Sequence, residues 1–362
     1  MASASSPAAL YQWRCLHTDS SIIRSIMSLN KAAPLEAVSS LDTAIIISGA
    51  TGINRLQLVQ DLIQEIQNRY IPRPQFSGQF NYPIRGAIPV VQPESAALSI
   101  SRLDSPPSLL TFQSRYYQEP FIVPGYAKDW PAMQEHPWRS AAYLRSISGA
   151  GRVVPVEIGE DYRSDDWSQK LVSWDDFLST LDFVDQPCSN GTKTMYLAQH
   201  NIFMQFPVLH ADIMVPDYVY ADLSNSNHVA PENDEGLVTN AWLGPRGTIS
   251  PAHTDPYYNM YVQLVGCKTV WLAPPDISSW MYPCTQLAPP EPDSKPEMSN
   301  TTRVDVFGKR TINENQFPDF WKEVVPRAMS YTLSAGDLLY IPAGWWHSMR
   351  SEETSISVSM WF

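Results

Sequence analysis

Apolar positions along the chain change period partway through, and the change predicts two regions. In RLQLVQDLIQEIQNRY, residues 55–70, Leu58, Leu62, Ile63 and Ile66 fall on one helical stripe, which predicts an amphipathic helix. Pro72 and Pro74 end it. Near Thr111 the texture becomes one of short apolar runs punctuated by Pro and Gly. There WRSAAYLRSI predicts a helix, RVVPVEIG a strand, and SWDDFLSTL a helix capped by Ser173 with Asp175 and Asp176 in its first turn. From Gly236 onward strand signals dominate: LVTNAWLG, YYNMYVQLVG, KTVWLAPP, SYTLSAGD, LLYIPAG and TSISVSMWF. The expected organisation is a helical N-terminal region over 1–105, divided near Ser105-Pro106-Pro107 from a mainly β domain with flanking helices over 106–362. Residues 286–300, QLAPPEPDSKPEMSN, read as a Pro-rich surface insertion. There is no internal repeat.

Composition narrows the class. The 31 prolines fit a β-rich fold with many turns better than a helical bundle. A formal charge of −12 argues against non-specific nucleic-acid binding, which needs a basic surface, and matches a basic protein or peptide partner. Cys15, Cys188, Cys267 and Cys284 lie far apart without CxxC spacing, so neither a zinc finger nor a disulfide framework is expected. Free thiols suit a reducing compartment. No apolar run is long enough to span a bilayer, and the first residues lack the apolar core of a secretory signal. Ser, Ala and scattered Arg near the start give only a weak likeness to a transit peptide. The expectation is a nuclear or cytoplasmic protein, a monomer in which the N-terminal helix could still associate.

Two of the seven histidines sit in informative surroundings. His253 and Asp255 are two apart at the head of a strand pattern, so both can project to one side and grip one ion. Further along, Met260, Val262 and Leu264 form an apolar face. Tyr257, Asn259, Tyr261 and Gln263 form a polar-aromatic face on the side of His253 and Asp255. In a small barrel one face of each strand points inward. Such a row is poor material for a dry core, because buried polar groups need partners, and good material for a pocket taking a polar ligand. AGDLLYIPAGWWHS then supplies a turn, a short apolar strand and a Pro-Gly bend that delivers His347 as third ligand. Two imidazoles and one carboxylate on one face of an ion leave positions open, the arrangement of non-heme Fe(II) oxygenases. A structural zinc usually closes its shell with Cys or His.

These same segments resemble a known family. PAHTDPYYNMYVQLVGCKTVWLAPP, GDLLYIPAGWWHSM and SISVSMWF resemble the JmjC domain. RVVPVEIGEDYRSDDWSQ, MYLAQHNIF and NAWLGPRGTISPAH look like its lysine-specific demethylase 8 (JmjC domain-containing protein 5) group. The likeness covers about residues 115–362 and is loose in the N-terminal third. It implies a double-stranded β-helix (cupin, jelly-roll) core using Fe(II), O2 and the cosubstrate 2-oxoglutarate. It places Lys268 on the distal carboxylate of 2-oxoglutarate, Tyr196 beside it as a hydrogen-bond donor, and Ser250 and Asn259 along the same pocket. Trp361, which shares a strand face with Ser355, Ser357 and Ser359, is added to that pocket. Glu157 and Trp242 match residues that the family uses to hold an arginine side chain. Read without the family, Lys268 and Glu157 would be ordinary strand charges and Trp242 and Trp361 core aromatics. Arg246 and the 286–300 insertion depart from the family pattern.

The expected activity is therefore that of a 2-oxoglutarate-dependent dioxygenase acting on a protein or peptide, hydroxylating an arginine side chain. The alternatives are a histone lysine demethylase and an inactive JmjC module that binds basic peptides.

Overall fold

The computed structural model describes residues 6–72, 90–159, 167–188, 194–223, 228–284 and 298–362. Three helices, α1 (Pro7–Asn30), α2 (Pro34–Ser48) and α3 (Arg55–Tyr70), open the chain. The amphipathic helix expected over 55–70 is α3, but its buried stripe is rotated: Val59, Ile63 and Ile66 pack on Val38, Leu41 and Ile45 of α2, while Leu58 is exposed. Spacing alone fitted either stripe, and the position of α2 decides which one is covered.

Two sheets follow. One orders the strands Leu98–Ser99, Met329–Leu333, Lys268–Ala273, Trp346–Ser351, Ile249–Thr254, Met298–Thr302 and Pro283–Cys284. The other orders Ser101–Arg102, Phe121–Val123, Leu338–Ile341, Asn259–Val265, Ser355–Trp361, Val238–Gly244, Met195–His200, Val153–Ile158 and Ser168–Ser173. Pairing is antiparallel except at the two short edge strands near residue 100. Those edges lie N-terminal to the division expected at 105 and already belong to the sheets. Of the expected insertion, 286–297 lie outside the described residues, and Met298, Ser299 and Asn300 belong to a strand.

Period-two alternation sorts side chains into three layers. Val270, Leu272, Leu333, Leu339, Ile341 and Tyr261 fill the space between the sheets. Trp271 and Ala273, which face the other way, are covered by Phe317, Phe320 and Trp321. Met260, Val262 and Leu264 turn out toward Trp138, Phe177 and Phe203. Lys268 shares parity with Val270 and Leu272, so a lysine points into the barrel. Among the described residues, no helix is long and apolar enough to cross a membrane.

A buried ion pair ties the helices to the barrel. Arg152 donates from Nε to Asp42 Oδ2 at 2.8 Å and from Nη2 to Oδ1 at 2.6 Å. Asp42 also accepts from the Val153 amide at 2.9 Å, and Arg152 Nη2 donates to the Gln205 carbonyl at 2.7 Å. Asp42 is fully buried and Arg152 nearly so. Removing one partner strands the other charge in a dry site. Asp42→Ala is expected to destabilise the protein by about 3–5 kcal/mol, read as a lowered midpoint in urea unfolding. A shift of less than about 1 kcal/mol would mean that water reaches Arg152.

Candidate active site

The cluster begins with a cross-strand pair. His253 on Ile249–Thr254 and His347 on Trp346–Ser351 are direct register partners, and directly opposed residues project from one face. Their imidazole centroids stand 4.3 Å apart. Asp255 follows one residue past the end of the first strand and turns its carboxylate to both rings: Oδ2 lies 3.8 Å from His253 Nε2 and 3.6 Å from His347 Nε2.

Each imidazole is oriented from behind. His253 Nδ1 sits 2.7 Å from the Pro251 carbonyl and His347 Nδ1 3.1 Å from the Trp345 carbonyl. A carbonyl only accepts, so Nδ1 carries the proton in both rings and Nε2 keeps its lone pair toward Asp255. Burial and the facing His347 hold His253 below the ordinary imidazole range, against the pull of Asp255. Burial pushes the Asp255 carboxyl upward, but the closeness of His347 and His253 outweighs it, and its pKa ends below the usual value. Neutral imidazoles and an ionised carboxylate are the forms that bind a metal. Ligand atoms about 2.1 Å from one ion stand roughly 3.0–3.4 Å apart, so the two carboxylate–imidazole distances need only a few tenths of an ångström of closure. The donor set fits a divalent metal.

The cluster opens into a cavity lined by Tyr196, Trp242, Ser250, His253, Asp255, Asn259, Tyr261, His347, Met349 and Trp361. Lys268, 1% exposed, reaches this cavity's phenols: Nζ donates to Tyr261 OH at 3.1 Å and lies 3.3 Å from Tyr196 OH. It makes no ion pair among the described residues, and burial pushes its pKa down to about 7. Tyr196 is also hydrogen-bonded by Ser250, and burial raises its pKa. Two buried polar atoms of the lining, Asn259 Oδ1 and Trp361 Nε1, have no hydrogen-bond partner among the described residues. Buried polar groups are normally satisfied. A lysine with no anion and an orphaned indole N–H in one cavity fit a small polar anion such as a dicarboxylate.

The residues singled out in the sequence are therefore not scattered. Tyr196, Trp242, Ser250, His253, Asp255, Asn259, His347 and Trp361 share one cavity, with Lys268 behind two of its phenols. Glu157 stands apart from the lining. It is the register partner of Tyr196 on Val153–Ile158, near enough for its charge to act on that phenol. The Trp242 indole lies 6.2 Å from the Tyr196 ring and donates to Ser359 Oγ at 2.9 Å. Arg246 is exposed and lies beside Cys267, away from the lining. Sequence reasoning did not single out Met349, although it is two residues beyond His347 and period two would have found it.

Paired antiparallel sheets closed over a His–Asp–His cluster define a protein of the cupin type, with a candidate metal centre between its sheets. Comparison with known proteins narrows this. Residues 111–362 match the cupin-like domain family. The chain is 38% identical to Jumonji C domain-containing protein 5 of Drosophila melanogaster over 76% of its length and 63% of that protein. It is 32% identical to lysine-specific demethylase 8 of Danio rerio, over 97% of this chain and 81% of the relative. It is 34% identical to lysine-specific demethylase JMJ30 of Arabidopsis thaliana over 70% of this chain and 53% of the relative. The chain belongs to the cupin-like JmjC family.

Proposed function

We propose that the chain is an Fe(II)- and 2-oxoglutarate-dependent dioxygenase that hydroxylates an arginine side chain in a basic protein or peptide. The observation that carries this reading is that the three metal-ligand side chains and an anion-seeking lysine serve one cavity. When bound, iron with 2-oxoglutarate and O2 supplies an oxidant for an unactivated C–H bond, giving an alcohol, succinate and carbon dioxide.

The chain's own residues do the rest. His253, Asp255 and His347 would hold the ion from one side, and the Pro251 and Trp345 carbonyls keep both imidazoles aimed. Lys268 and Tyr196 would hold the distal carboxylate of 2-oxoglutarate, with Ser250 orienting the phenol. Trp361 Nε1 would donate to a polar ligand lying between the ion and Lys268, and Asn259 would reach the same ligand through its amide Nδ2. The tryptophan and tyrosine walls exclude water, which limits oxidation without substrate. Glu157, on the Tyr196 face one strand further out, would take a guanidinium through two parallel hydrogen bonds, and the Trp242 indole would pack beside it.

Mass spectrometry of arginine- and methyl-lysine-containing peptides, incubated with the protein, iron and 2-oxoglutarate, tests this reading. Gain of one oxygen on arginine is the expected result. Loss of a methylene would instead make the chain a demethylase, the activity named for its zebrafish and Arabidopsis relatives. No succinate with any peptide would leave an inactive module that binds basic peptides. Glu157→Ala is expected to cost about 10- to 100-fold in kcat/KM for an arginine peptide. Substrate-free decarboxylation of 2-oxoglutarate should change little, and equal losses in both would remove Glu157 from substrate recognition.

A further inference from the structure

Helix α1 is built inside out. The side chains it buries most deeply are Thr18, Ser21, Ser25 and Ser28, with Ile22 and Leu29 packing half-buried beside them. They lie against α2, where Thr18 Oγ1 meets Ser48 Oγ at 3.0 Å. Small hydroxyl side chains let two helices approach closely, so this face is satisfied. The opposite face carries the large apolar residues: Trp13 is 64% exposed, Leu16 55%, Ile23 59% and Met27 54%. A soluble helix normally does the reverse.

The exposed stripe has a definite spacing. Ala9, Trp13, Leu16, Ser20, Ile23, Met27 and Asn30 follow one another at alternating steps of four and three. This is the heptad seam of a two-stranded coiled coil, with Trp13, Ser20 and Met27 at one repeat position and Ala9, Leu16, Ile23 and Asn30 at the other. The seam runs the length of α1, roughly 36 Å at 1.5 Å per residue.

The flanks indicate what covers it. Asp19 immediately precedes a seam residue and Arg24 immediately follows one. Those two flanks meet across the seam only when the helices run parallel. The Asp19 carboxylate of one copy then faces Arg24 of the other, five residues on, twice by symmetry. An antiparallel pair would set like flank against like, Arg24 toward arginine and histidine. Arg55 already holds Asp19 Oδ1 at 2.7 Å, fixing the carboxylate and leaving Oδ2 to accept. Polar Ser20 and Asn30 within the seam favour one register.

We infer that the outer face of α1, seamed by Trp13, Leu16, Ile23 and Met27, is a self-association surface on which a second copy of this chain docks in parallel. The surface lies on the helical region, so each barrel keeps its own cavity and dimerisation leaves the proposed chemistry intact.

Sedimentation velocity of the full chain over a wide concentration range is the test. The wild type should pass from monomer to dimer, and the Leu16→Glu/Ile23→Glu variant should self-associate at least about 100-fold more weakly. At concentrations where the wild type is monomeric its thermal unfolding should match the wild type, because both side chains are exposed in the monomer. Met27→Cys in a Cys15→Ser background should form a 27–27 disulfide on mild oxidation, identified by peptide mapping. Asp19→Arg and Arg24→Asp should each weaken the dimer and together restore it; mere loss of the Arg55 contact would not be rescued. A chain that stays monomeric at every concentration overturns the proposal, as does a dimer indifferent to the Leu16/Ile23 variant. Flotation of a monomeric protein with anionic vesicles, lost in that variant, would assign the stripe to a lipid surface and equally overturn it.

Discussion

Asp255→Ala is expected to reduce succinate formation by more than about 1,000-fold while leaving a folded protein. The reason is geometric. Asp255 Oδ2 is the atom that both Nε2 atoms face, at 3.6 and 3.8 Å. Without it two neutral imidazoles remain, and they bring no negative charge to offset a divalent cation. The fold should survive, because Asp255 lies just past a strand end and its ladder partners are untouched. Far-UV circular dichroism should overlay the wild type, and cobalt titrated as a spectroscopic substitute should lose its saturable absorption. Retention of both cobalt binding and succinate formation would remove Asp255 from the metal site.

The second large effect is expected at Lys268. Lys268→Met keeps much of the stem and removes the cation, so 2-oxoglutarate would have to bury a carboxylate without a counter-charge. The concentration of 2-oxoglutarate needed for half-maximal turnover should rise on the order of 100- to 1,000-fold. The pH dependence carries a further signature. In the free protein burial pushes this lysine down to about 7, and a bound carboxylate restores its charge. Above pH 7 each binding event must take up a proton, so affinity should fall by up to about tenfold per pH unit. Below pH 7 the lysine is already charged and this contribution flattens. Calorimetric titration in buffers of different ionisation enthalpy would read the proton directly, and Lys268→Met should abolish its uptake. A wild type whose affinity is flat from pH 7 to 9 would remove Lys268 from the anion's binding.

What could be read from the sequence follows from the range of the forces involved. Strand parity is local, so the inward row of Asn259 and Tyr261 and the pairing of His253 with Asp255 were legible within a few residues. Lys268 has the same inward parity, yet a charge on a strand usually means solvent. Only the family likeness gave it a role, and only the fold brings Tyr196 and Tyr261 to it. The carbonyls behind His253 and His347 depend on turn geometry that residue types do not encode. Asp42 and Arg152 are 110 residues apart, and nothing near either announces the other. The same is true of α1: its serine face is read as buried only once α2 is in place.

The Asp42–Arg152 lock also bears on how such a molecule can be rearranged. Trimming the chain to the barrel alone would leave a guanidinium in a hollow shaped for an aspartate, at the root of the strand that carries Glu157. The helices are thus part of the scaffold's wiring. A graft of this barrel onto a relative's helical cap would have to carry both halves of the lock, or supply a new anion where Asp42 now stands.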